Sequence, residues 1–255
     1  MRRGFWLCFG FGLAVVGCGG VYISPTVNAP GLRESGQAHV SANMRIGAPH
    51  GGASLMSAYA ITDLVRLGGS ATASFAGSPR KGAYAELLGG VEPALSRYLQ
   101  LGLLAGGGMG RATARHEPCE TNDLSQDGSI CVGPVDGVEQ VSARYARYFA
   151  QGHLILRAKR AAAGGLGVRA SLLDMRFRSI EGMPSSQQSF AGTVEPFLFV
   201  RVGSPRIQFE GQWRFVKLVH MPTSQGRGLI WPEVAMFTVG LRVVLGPSCE
   251  DGRCM

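Results

Sequence analysis

Charged residues are scarce in this chain of 255 residues, at 16% of the total, and lysine is scarcer still. Only Lys81, Lys159 and Lys217 are lysines, so 22 of the 25 basic residues are arginines (25 minus 3). A hydrophobic content of 45% excludes intrinsic disorder, which requires low hydrophobicity and high charge. The 38 glycines do not recur at every third position, which excludes a collagen-like chain. The length suits one large all-β domain or two smaller domains.

Long apolar runs are also missing after residue 20, so the rest of the sequence predicts no transmembrane helix. The N-terminus differs, because Arg2 and Arg3 precede the uncharged run 4–20, which is typical of a secretory signal. The run ends in Val15-Val16-Gly17-Cys18, which resembles the lipobox of bacterial lipoproteins. The resemblance implies that residues 1–17 are removed and that Cys18 carries a lipid. An uncleaved anchor helix is the alternative, but glycines 17, 19 and 20 and Pro25 leave it too short to span a membrane.

Cysteines are few, and their number fits this interpretation. Cys8 is lost with the signal and Cys18 is acylated, which leaves four: Cys119, Cys131, Cys249 and Cys254. No histidine or second cysteine has the spacing of a zinc site, and an exported chain meets an oxidising compartment. We therefore expect two disulfides between sequence neighbours, Cys119–Cys131 and Cys249–Cys254.

Two-residue alternation dominates the mature chain and predicts β-strands. In 37–46, polar Gln37, His39, Ser41, Asn43 and Arg45 interleave with Ala38, Val40, Ala42, Met44 and Ile46. The same pattern predicts about ten strands, near 36–47, 52–61, 64–76, 82–92, 97–116, 138–158, 165–177, 191–203, 206–219 and 233–245. In 138–151 a helical stripe is an alternative. The predicted organisation is a signal peptide at 1–17, an extended tether at 18–35, a β-barrel at 36–246 and a C-terminal tail at 247–255.

Loop lengths follow strand parity. The connections near 117–137, 178–190 and 220–232 are long, whereas those near Thr62, Pro93, Ala162 and Ser204 are short. This is typical of an antiparallel up-and-down barrel of the bacterial outer membrane, with short periplasmic turns and long external loops. An even strand number places both ends of the barrel on one side, and a lipid on Cys18 in the periplasmic leaflet would lie on that same side.

Two stretches carry a resemblance to a family. They are Tyr22-x-x-Pro25-x-x-Asn28-x-Pro30-x-Leu32-x-x-x-Gly36-Gln37 and Ser57-Ala58-Tyr59-Ala60-Ile61-Thr62-Asp63. Together they resemble the opening of bacterial outer-membrane β-barrel lipoproteins of uncharacterised role. The resemblance covers the first third of the chain and implies a barrel at the outer membrane with no catalytic residues to carry over. The ending Cys254-Met255 departs from the aromatic terminus usual in outer-membrane proteins.

The polar face of the predicted strands is rich in arginine: Arg45, Arg111, Arg115, Arg147, Arg157, Arg169, Arg201 or Arg214. Glu86, Glu92, Glu195 and Glu210 are available as partners. In a closed barrel this face lines the lumen, where burial forces charges to pair. A plugged structural interior is the favoured interpretation, and an anion-conducting pore is the alternative.

Three motifs could carry chemistry. His39 and Ser41 share a strand face and resemble the pair used by outer-membrane lipid A deacylases, although chance explains two residue types at one spacing more simply. Asp123, Ser125 and Asp127 match the start of a calcium loop, but Pro134 stands where its glutamate belongs. The run 106–110 lacks the third glycine of a dinucleotide fingerprint, and strand kinks explain its glycines. We expect no cofactor.

Three hypotheses for function follow. The leading one is a non-enzymatic outer-membrane barrel lipoprotein, a structural or interaction component with its long loops outside. It contacts membrane lipid through Cys18 and the barrel wall, and other envelope proteins are candidate partners. The alternatives are a tethered lipocalin-like ligand binder and a lipid A-modifying hydrolase using His39 and Ser41. Loss of Arg2 and Arg3 takes the net charge from +8 to +6, too little and too dispersed for a nucleic-acid partner.

Overall fold

The structure is a computed structural model that describes residues 26–46, 51–74, 80–116, 139–158, 162–179, 187–220, 235–246, 249–250 and 253–254. Regular secondary structure in these residues is entirely β. No helix in this part of the chain is long and apolar enough to cross a membrane.

Thirteen strands are formed by the described residues. They are β1 Ala38–Ile46, β2 Gly52–Ala60, β3 Val65–Ser74, β4 Arg80–Val91, β5 Leu99–His116, β6 Glu139–Ala158, β7 Ala162–Ser179, β8 Gln187–Gly203, β9 Ile207–Phe215, β10 Lys217–His220, β11 Ala235–Leu245, β12 Cys249–Glu250 and β13 Arg253–Cys254. The ten predicted strands agree with β1 to β11 to within a few residues at each end. The helical alternative for 138–151 is wrong, because β6 is a strand throughout.

Consecutive strands from β1 to β9 pair in antiparallel fashion, β11 pairs with β9, and β11 also pairs with β1. The sheet is therefore closed. β9 and β10 are separated only by Val216, and both pair with β8, so they occupy one position in the wall. The predicted all-β, antiparallel, up-and-down barrel of ten strands is confirmed.

The two ends of the barrel differ. We call the end with the connections 61–64, 92–98, 159–161 and 204–206 the turn end, and the end with 117–138, 180–186 and 221–234 the loop end. Ala38 at the start of β1 lies opposite Leu245 at the finish of β11. Both ends of the barrel wall therefore lie at the turn end, as the even strand number predicted.

The two faces of the wall have opposite character. Large apolar side chains cover the outside, as at Val200, Phe209 and Val239, which are 45%, 71% and 36% exposed. The lumen face is mostly polar, and Arg66, Arg147, Arg169 and Arg242 are among its largest fully buried side chains. A protein that folds in water buries apolar groups and exposes charge. This barrel does the reverse, which suits a wall surrounded by hydrocarbon.

The C-terminal tail contains a small hairpin in which β12 pairs with β13. The register places Cys249 opposite Cys254, and the disulfide between them stays a prediction. Cys119 and Cys131 lie outside the described residues, as do Cys18 and the predicted signal peptide.

Candidate functional site: a plugged lumen

Residues 26–32 run through the barrel interior, and we call them the plug segment. All seven are buried, with Asn28 and Val27 fully so. Near the turn end, the Ser35 backbone N–H donates to Asp63, whereas Thr26 shares a hydrogen bond of 2.7 Å with Ser54, six residues up β2 from its turn-end terminus. The segment therefore runs from Thr26, nearer the loop end, toward the turn end, where β1 follows it. Nothing in the sequence of the predicted tether indicated that it would be enclosed.

Arginines from the wall hold the plug segment by its backbone. Four successive carbonyl oxygens, those of residues 29 to 32, each accept from a different guanidinium: Ala29 from Arg201, Pro30 from Arg242, Gly31 from Arg157 and Leu32 from Arg66. Carbonyls removed from water must find donors, and charged donors form the stronger hydrogen bonds. These contacts hold the plug segment by its backbone carbonyl groups, which every residue has, and so do not depend on its side chains.

Side-chain amides bind the plug segment at the two residues before Ala29. The amide of Gln212 binds both the backbone N–H and the carbonyl of Val27, at 3.1 and 2.7 Å. Gln151 donates to the Asn28 carbonyl, and the Asn28 amide donates to the Ser57 carbonyl on β2. Strands from opposite sides of the barrel are thus joined through the segment.

Glu92 is the acidic centre at the turn end of the lumen, and it is fully buried. Its carboxylate accepts from the Gly31 backbone N–H at 3.0 Å, lies 2.7 Å from His153 Nε2 and lies 3.5 Å from Arg66 Nε. Gly31 has a positive φ of 57°, and a side chain there would lie 2.9 Å from Ile155. Glycine is therefore required where the segment turns toward this carboxylate.

Three further carboxylates pair with arginines deeper in the lumen. Glu86 binds Arg169 at 3.1 Å, Glu195 binds Arg147 at 2.6 Å and lies 3.5 Å from Arg214, and Glu210 binds Arg201 at 2.5 Å. Neutral groups extend these pairs, since Gln151 Oε1 accepts from Arg169 and the Tyr84 hydroxyl donates to Glu86. Together with the plug segment, these side chains fill the interior with paired polar groups.

The predicted lumen residues are largely where the alternation placed them. Arg45, Arg147, Arg169, Arg201 and Arg214 are buried in the lumen, Arg157 contacts the plug segment there, and all four glutamates are buried. Arg111 is a correction: it is exposed on the outer face, because β5 places its neighbour Ala112 in the lumen. The side chain of Arg115 lies outside the described residues.

Sequence reasoning missed Arg66, Arg242 and His153. Arg66 and Arg242 stand on mixed faces, Arg66 near the start of β3 and Arg242 near the finish of β11, where strict alternation of polar and apolar residues breaks down. His153 had no visible partner in sequence, since Glu92 is 61 residues away. The one signal in the sequence was the glycine at position 102, inside a predicted strand. Gly102 lies directly opposite His153, and a side chain at 102 would overlap the imidazole ring.

The glycine run 106–110 has a packing role. A Cβ at Gly106, Gly108 or Gly110 would lie 2.7, 2.4 or 2.5 Å from the aromatic side chains of Phe149, Tyr84 and Tyr145, respectively. The three aromatic side chains occupy the space that side chains at these glycines would need, and Tyr84 and Tyr145 stack with centroids 5.7 Å apart. The run belongs to a strand and provides room for these rings.

His39 and Ser41 both face the lumen and are 1% exposed. Within the described residues no hydrogen bond joins them: His39 Nδ1 has no partner, and Ser41 Oγ is 3.5 Å from the Asn43 amide. Proton transfer from serine to histidine requires such a bond. The calcium candidates Asp123, Ser125 and Asp127 lie outside the described residues.

A closed ten-strand barrel with an apolar exterior and a polar, ion-paired interior has the architecture of a bacterial outer-membrane β-barrel. No protein-family model matches the chain, and no curated protein sequence matches it.

Solved structures of similar shape include three bacterial envelope barrels. The outer membrane protease OmpT from Escherichia coli is 8% identical with a TM-score of 0.49, over 83% of this chain and 94% of that one. The translocator domain of autotransporter NalP from Neisseria meningitidis is 11% identical with a TM-score of 0.44, over 82% and 85%. The attachment invasion locus protein Ail of Yersinia pestis is 9% identical with a TM-score of 0.34, over 83% and 99%. At these values none of them assigns a function.

Proposed function

We propose that this protein is a sealed, non-enzymatic β-barrel lipoprotein of the outer membrane. Its barrel spans the membrane, Cys18 carries a lipid, and the long loops face outward. Its role is that of a structural or interaction component of the cell envelope, and the loops present the surface for other envelope proteins. The predicted disulfides stabilise the longest loop and the C-terminal tail in an oxidising compartment.

The plug segment is the observation that carries this proposal. Fully buried Asn28 and Val27 lie inside the barrel, bonded to β2, β6 and β9, and four arginines bind the carbonyls that follow them. A conducting pore requires a continuous water-filled path, whereas this lumen is crossed by protein and lined by paired charges. A structural interior therefore fits better than an anion pore.

The polar, occupied lumen also argues against the two alternative functions, the ligand binder and the hydrolase. A lipocalin-like ligand binder needs an apolar lumen, and this lumen is polar and occupied. A hydrolase centred on His39 and Ser41 needs a substrate path to both groups and a hydrogen bond between them. Both side chains are buried, and no such bond is present in the described part of the chain. The non-enzymatic proposal is supported on these grounds.

A conductance measurement tests the sealed lumen. We expect wild-type protein in planar bilayers to stay closed, and the double variant Arg201→Gln/Arg242→Gln to open intermittently, because the Ala29 and Pro30 carbonyls lose their charged donors. The matched control is Leu172→Ala on the exposed outer face, which should stay closed. Steady conductance from the wild type would overturn the sealed-barrel proposal.

Processing of the precursor tests the anchor. We expect the Cys18→Ser variant to incorporate no radiolabelled lipid and to accumulate with residues 1–17 attached, because the sulfur that accepts the lipid is missing. A diacylglycerol with an added amide-linked chain supplies the two hydrophobic signals that stable anchoring takes. The matched control is Cys8→Ser, which should be processed normally. Normal maturation of Cys18→Ser would contradict the lipoprotein assignment.

A further inference from the structure

Three arginines form a row on the outside of the barrel near the loop end. The register aligns Arg111 on β5 with Arg144 on β6, and Arg144 with Arg176 on β7, and all three are exposed. We call them the outer arginine row. Among the described residues none of the three has an ion pair or hydrogen bond, in contrast to the paired arginines of the lumen. Like charges placed directly across from one another are unfavourable unless something neutralises them.

The outer arginine row lies at the edge of the apolar band. One step toward the turn end, the same strands present Met109, Ala146 and Asp174, and the next exposed positions include Tyr148 and Leu172. Met109, Tyr148 and Leu172 are 76%, 64% and 68% exposed. In a membrane, arginines just outside such a band lie at the depth of lipid headgroups, which their long side chains can reach.

Small side chains lie beside the row. Ala73 pairs with Ala83, Ala71 pairs with Ala85, and all four are exposed on the outer face. Leu55, 56% exposed, borders this block on β2, and Met109 borders it on β5. The resulting depression in the wall, beside Arg111, has the apolar lining that an acyl chain requires.

We propose that the outer arginine row binds the phosphate groups of a phosphorylated lipid in the leaflet at the loop end, with one acyl chain in the alanine depression. This inference rests on the proposed function, because it needs the barrel to span a membrane. Charge complementarity supports it: the three guanidinium groups and exposed Lys81, one row further out, outnumber the nearby carboxylate of Asp174. Asp174 itself accepts a hydrogen bond of 2.9 Å from Gln188. Guanidinium groups bind phosphate oxygens in paired, charge-assisted hydrogen bonds.

Lipid binding can be measured on the full-length protein in detergent micelles. The probes are a diphosphorylated glucosamine-based lipid, phosphatidylcholine and inorganic phosphate. We expect the diphosphorylated lipid to bind wild type, and Arg111→Gln/Arg144→Gln to lower its affinity about tenfold or more, since two charged donors are lost. Phosphatidylcholine and inorganic phosphate should bind weakly, and equally to both proteins. The matched control is Arg97→Gln/Arg206→Gln, which removes the same charge from exposed positions at the turn end and should retain the affinity.

Each other outcome overturns the inference. Equal affinity of wild type and Arg111→Gln/Arg144→Gln would mean that the row does not bind lipid. Equal losses in both double variants would mean that net charge alone attracts the lipid. Binding of inorganic phosphate as tight as lipid would identify a free anion as the ligand. Failure of the diphosphorylated lipid to bind wild type would likewise mean that the row does not bind lipid. Failure of the protein to give a heat-modifiable band would instead contradict the membrane barrel itself.

Discussion

Replacement of Glu92 by glutamine should strongly destabilise the barrel. The substitution nearly preserves volume but removes the charge that faces Arg66 and His153, and it weakens the hydrogen bond from the Gly31 backbone. Removing one partner of a buried ion pair leaves the other charge uncompensated, which costs about 3–5 kcal/mol. We expect two quantities to fall markedly. One is the urea concentration at the midpoint of unfolding in detergent. The other is the temperature at which the folded, fast-migrating band on an electrophoresis gel converts to the unfolded, slow-migrating band.

Asp174→Asn is the matched control for this experiment. Asp174 is half-buried on the outer face, and the hydrogen bond from Gln188 remains possible with an amide oxygen. Its effect should be about 1 kcal/mol or less. If Glu92→Gln unfolds at the same urea concentration as Asp174→Asn, the Glu92 cluster does not hold the plug segment in place.

A charge placed on the outer wall should be costly in proportion to its depth. Val168 is 47% exposed near the middle of β7, so Val168→Arg puts a guanidinium into hydrocarbon at a cost of about 2–4 kcal/mol. Val202, 53% exposed near the turn end of β8, is the matched site, and Val202→Arg should cost about 0–1 kcal/mol. The measurement is reversible urea unfolding of protein folded into lipid bilayers. Equal and negligible costs at both sites would mean that the wall faces water.

The strand order and the two faces of the wall could be predicted from sequence because alternation is a local signal. Every second residue from Gln37 to Arg45 is polar, and each of these five side chains is buried in the lumen. If each strand pairs with the next, few strand orders are possible. The loop lengths then distinguish the turn end of the barrel from the loop end. The position of Arg111 was mispredicted because four of the five residues from 106 to 110 are glycines. Without side chains, the sequence there does not indicate which residues face the lumen and which face outward.

The interior could not be predicted in the same way. The pairing of Glu92 with His153 spans 61 residues, and that of Gln212 with Val27 spans 185, so no local pattern contains them. The arginines that hold residues 29 to 32 bind backbone carbonyls, which look alike at every position of any sequence. A segment with prolines at 25 and 30 therefore has the same appearance whether it lies in solvent or inside a barrel.

The enclosure of the plug segment constrains the order of assembly. Its hydrogen bonds reach β2, β6, β8, β9 and β11, which surround it on all sides. The pairing of β1 with β11 joins the first and the last strands of the described barrel wall and so closes the sheet. Threading an N-terminal segment, with the lipid proposed on Cys18, through a finished and filled cylinder is sterically prohibited. The sheet must therefore curl around the segment while its two edges are still apart, and the nine residue pairs from Ala38↔Leu245 to Ile46↔Phe237 form the seam that closes last.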